Sequence, residues 1–198
     1  SNLGNEAVTF TGTTTAARVD SILKATTGVV TATVGAGSAT NLIADLTNAT
    51  SGKDALTLVT DNAAATADEL LALDDATSVT VNAKAITANG ISGNAADLKK
   101  LIASKGVELA NNVGITASGT TNAADLGAIL KATTGVVSAT VAADTAANIV
   151  AGLGAVALAG DENDALNITV NGTNANASNL TTLYGKTSLK ITVDAAKV

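Results

Sequence analysis

The side chains able to do chemistry are few in this chain, and their types limit the chemistry open to it. There is no Cys and no His. That removes thiolate nucleophiles, zinc–cysteine sites, the commonest general base and the commonest transition-metal ligand. Hydroxyls, carboxamides, carboxylates and lysine amines remain. The densest carboxylate run is Asp161-Glu162-Asn163-Asp164, in a predicted loop. Asp161, Glu162 and Asp164 are the candidate calcium ligands, because calcium takes several oxygens and tolerates such loops. The run lacks EF-hand spacing and no Gly-rich nonapeptide accompanies it. A solvated turn is the plainer reading, and more so for Asp74-Asp75. Ser104-Lys105 lies on a predicted helix end and reads as solvated rather than as a nucleophile with its base. Gly35-Ala36-Gly37 precedes a helix but lacks the third glycine and the acidic residue of a dinucleotide fingerprint.

The hydroxyl pattern is more distinctive. Thr9 and Thr11, Thr31 and Thr33, Ser78 and Thr80, Thr116 and Ser118, and Ser138 and Thr140 sit two apart on successive predicted strands. Asn167 with Thr169 and Lys190 with Thr192 continue the series. Residues two apart on a strand share a face, so stacking them predicts a flat polar face with rows about 4.8 Å apart. Such an array orders water in ice-binding solenoids. The plainer reading is that Thr is a good strand former on a solvated sheet face. Asn167 and Lys190 interrupt the array.

An internal repeat says which elements carry these residues. Gly12–Val34 and Gly119–Val141 match at an offset of 107 residues, with KATTGVV identical at Lys24–Val30 and Lys131–Val137. The match continues through Asn41-Leu42 with Asn148-Ile149. After a three-residue insertion near Asp161–Asn163, Asp54-Ala55-Leu56 matches Asp164-Ala165-Leu166 and Thr77-Ser78 matches Thr187-Ser188. Thr80–Ala83 is matched to Thr192–Ala195 after two more inserted residues. The chain therefore divides into a first long repeat, 1–107, and a second, 108–198, continuous with it. Within each, a Leu near the end of an Ala-rich stretch recurs about every 27 residues, from Leu23 to Leu183.

Each short unit reads strand, turn, helix. Val30-Thr31-Ala32-Thr33-Val34 shows the two-residue period of a half-buried strand. Val19, Ile22 and Leu23, or Leu98, Leu101 and Ile102, fall at helical spacing. Helices are predicted near 14–25, 39–48, 66–74, 95–104, 122–132, 145–153 and 177–183. Thr, Ser, Asp and Asn crowd their starts as N-caps, and Gly follows most ends, where it permits a left-handed C-cap. Val107–Leu109 and Ala155–Ala159 are candidate extra strands. Strand–helix–strand crossovers are right-handed in nearly all cases. The expected fold is α/β: a repetitive right-handed β/α solenoid of about seven units, one parallel sheet with short Ala-rich helices on one face.

Composition excludes several classes. The chain has 198 residues and a net charge of −6, with one Phe, one Tyr and 14% charged residues. One Arg and an acidic balance leave no basic patch for nucleic acid. Two aromatics cannot build stacking platforms. The longest apolar stretch, 149–160, is too short to cross a bilayer. A hydrophobic content of 46% argues against disorder.

The strings LGNEAVTFTGTT (Leu3–Thr14), LKATTGVVTATV (Leu23–Val34) and ADELLALDDATSVTVNA (Ala67–Ala83) resemble Ala/Thr-rich repeats of giant secreted bacterial surface proteins. Marine cyanobacteria are the notable source, and such proteins often also carry RTX-type calcium repeats. The resemblance implies an extracellular or cell-surface location and a structural role as spacer, sheath, filament or S-layer module. It carries no catalytic motif, so an enzyme is not expected. The alternative is an adhesin or ice-binding module using the Thr-rich face. Expected partners are neighbouring repeats of the same protein, with head-to-tail self-association through unpaired sheet ends. No cofactor is expected, calcium being the one candidate.

Overall fold

The computed structural model describes residues 2–88, 90–154, 163–172 and 175–194. They form an α/β protein with parallel strand pairs and two compact units, Ser1–Asn89 with Ser104–Ala110 and Gly90–Ala103 with Asn111–Val198.

In the first unit, β1 (Val8–Thr14) is followed by α1 (Ala16–Leu23), β2 (Val30–Val34), α2 (Ala39–Asp45) and β3 (Ala55–Thr57). Then come β4 (Ala65–Thr66), α3 (Ala67–Asp75), β5 (Val81–Ala83) and, beyond an excursion into the other unit, β7 (Val107–Leu109). Strands β1, β2 and β3 lie side by side in that order, and β5 pairs with β7. The second unit holds β6 (Ile91–Gly93), α4 (Ala95–Ala103), β8 (Ile115–Thr121), α5 (Ala123–Leu130), β9 (Val137–Val141), α6 (Ala146–Leu153), β10 (Ala165–Asn167), β11 (Thr169–Asn171), α7 (Ala177–Tyr184) and β12 (Thr192–Asp194). Its sheet runs β6, β8, β9, β10, and β11 pairs with β12.

The strands thus fall into several small sheets instead of the one expected. The cause is local. The extended segment after α2 turns a corner after three residues, so Ala55–Thr57 and Val59-Thr60 belong to different ladders, and its copy does the same between Ala165–Asn167 and Thr169–Asn171. The seven described helices lie where the apolar spacing puts them. Val107–Leu109 is a strand as expected, and Ala155–Ala159 lies outside the described residues.

Alternation sets the inner face. In β2, Val30, Ala32 and Val34 are buried while Thr31 and Thr33 are exposed. Helices contribute Val19, Leu23, Leu42, Leu70 and Leu73 to the first core, and Leu98, Leu101, Leu126, Ile129, Ile149 and Leu153 to the second. These cores are aliphatic and thin. Phe10 is half-buried, and the chain's one Tyr stands outside the core.

The 107-residue offset is reproduced in backbone register. Val8 faces Val30 and Thr14 faces Val34, with a bulge between Thr9 and Thr13. Ile115 faces Val137 and Thr121 faces Val141, with the same bulge between Thr116 and Thr120. Gly12 and Gly119, at φ +77° and +71°, make that bulge. One part of the sequence alignment is corrected. Val59 faces Asn82, and Thr169 faces Thr192. Thr192 is therefore the counterpart of Asn82, not of Thr80, and Ile191 and Val193 correspond to Val81 and Ala83. Only the insertion before Asp164 is needed; the two further inserted residues are not.

Candidate functional site

Eight of the nine singled-out threonines, Thr9, Thr11, Thr31, Thr33, Thr80, Thr116, Thr140 and Thr192, are exposed, and Thr169 is half-buried. The rows differ from the predicted ones. Thr9 stands beside Thr31, but the bulge carries Thr11 out of line, so Thr13, Thr33 and Thr57 form the second row. In the second unit Ser92, Thr116 and Ser138 form one row, ending on Ala165. Thr120, Thr140 and Asn167 form the other. Thr80 lies outside these rows, ahead of β5, and Thr192 faces Thr169 in a separate pair. Thr116, Gly119, Thr120, Ser138, Thr140 and Asn167 line an open trough of about 460 Å³. The face is polar, uncharged and short, each row holding two or three hydroxyl or carboxamide side chains.

The acidic run does not converge. Asp161 and Glu162 lie outside the described residues. Asp164 is buried, and its carboxylate accepts the backbone N–H of Val137 at 2.7 Å. Its counterpart Asp54 is equally buried and accepts from Val30 N at 2.9 Å and Thr50 N at 3.2 Å. The repeat alignment carried this signal: an Asp present in both copies serves the fold, whereas its inserted neighbours do not recur. Among the described residues no group of three acidic side chains gathers as a metal site.

The hydroxyls with the most elaborate environments are the buried ones, which reasoning from the exposed face missed. Thr77 Oγ1 donates to Leu56 O at 2.8 Å and accepts from Leu56 N at 2.9 Å and Val79 N at 3.1 Å. Thr187 repeats this with Leu166 O, Leu166 N and Leu189 N. Within KATTGVV, Thr26 Oγ1 donates to Glu6 O at 2.5 Å and accepts from Gly28 N. Thr133 does the same with Val113 O, at 2.6 Å, and Gly135 N. The half-buried Ser104 donates to Asp74 and accepts from Gly106 N. At every one of these helix-to-strand corners a hydroxyl clamps the chain to an earlier turn of backbone or helix. Because such buried groups are fully hydrogen-bonded, they stabilise the corner instead of weakening it.

Gly28 and Gly135 are not left-handed caps. A Cβ at Gly28 would lie 2.2 Å from Glu6 O, and at Gly135 2.4 Å from Asn112 O. Their role is to let two backbones meet.

N-cap side chains behave as anticipated. Thr15, Ser38, Thr66, Asn122, Thr145 and Asn176 each accept a backbone N–H in the first turn of their helix. Burial alone would raise the Glu69 pKa, but hydrogen bonds from Thr40 Oγ1, Thr66 N and Thr66 Oγ1 together outweigh it, leaving the group below 4.5. A carboxylate depressed in the folded state stabilises above its unfolded pKa, and that contribution drains as pH falls through the folded value. Glu69→Gln should flatten this part of the acid limb below pH 4.5 in a plot of unfolding midpoint against pH. Asp125 is lowered by the Lys99 ammonium and Asn122, and Asp144 by Asn148 and Thr145 N.

What the arrangement can do chemically is hold backbone and present neutral hydroxyls. Comparison with protein-family models, curated proteins and solved structures found no match. No helix among the described residues is long and apolar enough to cross a membrane.

Proposed function

We propose that this chain is a non-catalytic structural repeat segment, a spacer, sheath or filament module, of a large bacterial extracellular surface protein. In this reading the units wind as a right-handed β/α solenoid, and their partners are neighbouring repeats of the same protein. The observation that carries it is the recurrence of one register, bulge included, 107 residues apart. Six of the buried polar groups support it as well: Asp54, Asp164, Thr26, Thr77, Thr133 and Thr187 each make a hydrogen bond to backbone. That is what a repeat needs and an active site does not.

Antibody raised against the chain should label intact cells of the source organism, and external protease should remove the label. Labelling that requires permeabilised cells overturns the reading.

The exposed rows favour a second reading, recognition through the threonine face. Ice binding predicts thermal hysteresis that Thr31→Leu with Thr140→Leu abolishes. The short rows of two or three polar side chains, the bulges and the Ala55 and Ala165 row ends work against a lattice match. We expect no hysteresis from the unsubstituted chain, measured by nanolitre osmometry.

A further inference from the structure

The last described strand leaves inward-facing positions open that its counterpart in the first unit keeps covered. Val81 and Ala83 on β5 are both 0% exposed, and β7 pairs against them, Val81 facing Val107 and Ala83 facing Leu109. The counterparts on and beside β12 are half-buried Ile191 and Val193, the latter 46% exposed. Leu189, the counterpart of Val79, is 43% exposed. On α7, Tyr184 is 72% exposed and occupies the place of Asp74. In the first unit Asp74 receives the Ser104 hydroxyl and abuts Gly106, just ahead of β7. The backbone agrees: Gly106 O accepts from Val81 N at 2.8 Å.

We propose that the α7–β12 end is a docking edge for one further strand-bearing coil of this repeat, seated in the β5–β7 register. This rests on the structural-repeat reading and adds the end used, the register and a charge preference. The occupant follows from the interface already present in the first unit. A segment of the form Ser104–Leu109 covers Val81 and Ala83, so a segment of that form fits over Ile191 and Val193.

The two ends are not equivalent in charge. Lys84, just past β5, pairs with Glu108 of the incoming strand at 2.6 Å. Its counterpart in the second unit is Asp194, by the register that sets Thr192 against Asn82. A copy of β7 itself would set Glu108 toward a carboxylate, where like charges on neighbouring strands repel. The preferred strand therefore carries Lys or Arg in place of Glu108. Being an exposed ion pair, it selects among coils more than it holds them.

The test joins a second copy of residues 85–110 directly after Asp194 of the full chain, which preserves the spacing found after Lys84. Three versions are compared: the natural segment, the segment with Glu108→Lys, and a scrambled segment of the same composition. Tethering makes docking intramolecular, so a weak edge still registers. The chain has one Tyr and no Trp, so its emission reports Tyr184 alone. With the natural segment, acrylamide quenching of Tyr184 should fall severalfold relative to the scrambled one. The unfolding midpoint should rise by about 4 °C. The Lys version should raise the midpoint further. Quenching and midpoint equal to the scrambled control in both versions overturn the docking edge. A Glu version as stable as the Lys version overturns the charge preference. Neither failure bears on where the protein resides in the cell, which the antibody experiment reads separately.

Discussion

Thr77→Val should cost about 3 kcal/mol of unfolding free energy, although it exchanges one methyl-sized group for another on a side chain of the same shape. The hydroxyl it removes sits on a residue 4% exposed and serves Leu56 O, Leu56 N and Val79 N. The two bonds to Leu56 are buried and the one to Val79 N partly so, and the substitution orphans two donors and an acceptor. Each orphaned group costs about 1–3 kcal/mol, offset in part by the more favourable burial of Val. Thr187→Val should behave alike, because its partners are the same groups one repeat later. The control is Thr31→Val on the exposed face, where the change should stay within about 0.5 kcal/mol. Thr77→Ser keeps the hydroxyl and should recover most of the loss. Urea titration of the four variants separates the two kinds of threonine. If Thr77→Val and Thr31→Val shift the midpoint equally, the buried clamp is not holding the repeats together.

That contrast also explains how far the sequence could be read. The helices were legible because Ala-rich stretches with Leu, Ile and Val at helical spacing have few other uses, and α1 through α7 fall on them. The exposed threonine face was legible for the same reason in strands. Three things were not. The strands β4 and β6 are two and three residues long, too short to show alternation, and each stands just before a helix that dominates the local pattern. The bulge at Gly12 was invisible because the alternation of Thr9 and Thr11 passes for a straight strand ahead of it; only pairing with the shorter β2 exposes the extra residues. The buried hydroxyls were hidden by a composition effect. Where Thr is everywhere, hydropathy cannot tell an interior Thr77 from an exterior Thr80. Repetition could: Thr26 with Thr133, Thr77 with Thr187 and Asp54 with Asp164 each occur in both copies. The same test separates Asp164 from Asp161 and Glu162, which belong to the insertion and have no counterpart.

Glycines supply the other large effect, and their ranking runs against the usual expectation that a positive φ marks the costly position. Gly12 and Gly119 have left-handed backbones, but nothing lies within 4 Å of where a Cβ would stand on either. Gly119→Ala should therefore cost only the conformational penalty, about 1–2 kcal/mol. Gly135 has an ordinary backbone and no space. An added Cβ would sit 2.4 Å from Asn112 O, 2.5 Å from Val113 O and 2.6 Å from Val113 C. Those atoms are backbone, and they cannot retreat freely. Val113 O is held by the Thr133 hydroxyl at 2.6 Å, and the adjacent Asn111 O accepts Thr134 N at 2.8 Å. Relieving the contact means pulling apart the clamp that the corner exists to make, so Gly135→Ala should lose about 3 kcal/mol or more. Gly28→Ala should match it, since Glu6 O lies 2.2 Å from its Cβ position and is held by Thr26 in the same way. In KATTGVV, then, the Thr-to-Gly step is a single device: the hydroxyl of Thr26 or Thr133 draws the earlier backbone in, and the missing side chain at Gly28 or Gly135 leaves room for it to arrive. A double-mutant cycle on Thr133→Val and Gly135→Ala should be strongly sub-additive, because either change alone already opens the corner. Additive losses would mean that the two residues act independently, and that the identity of this block in both copies has some other cause.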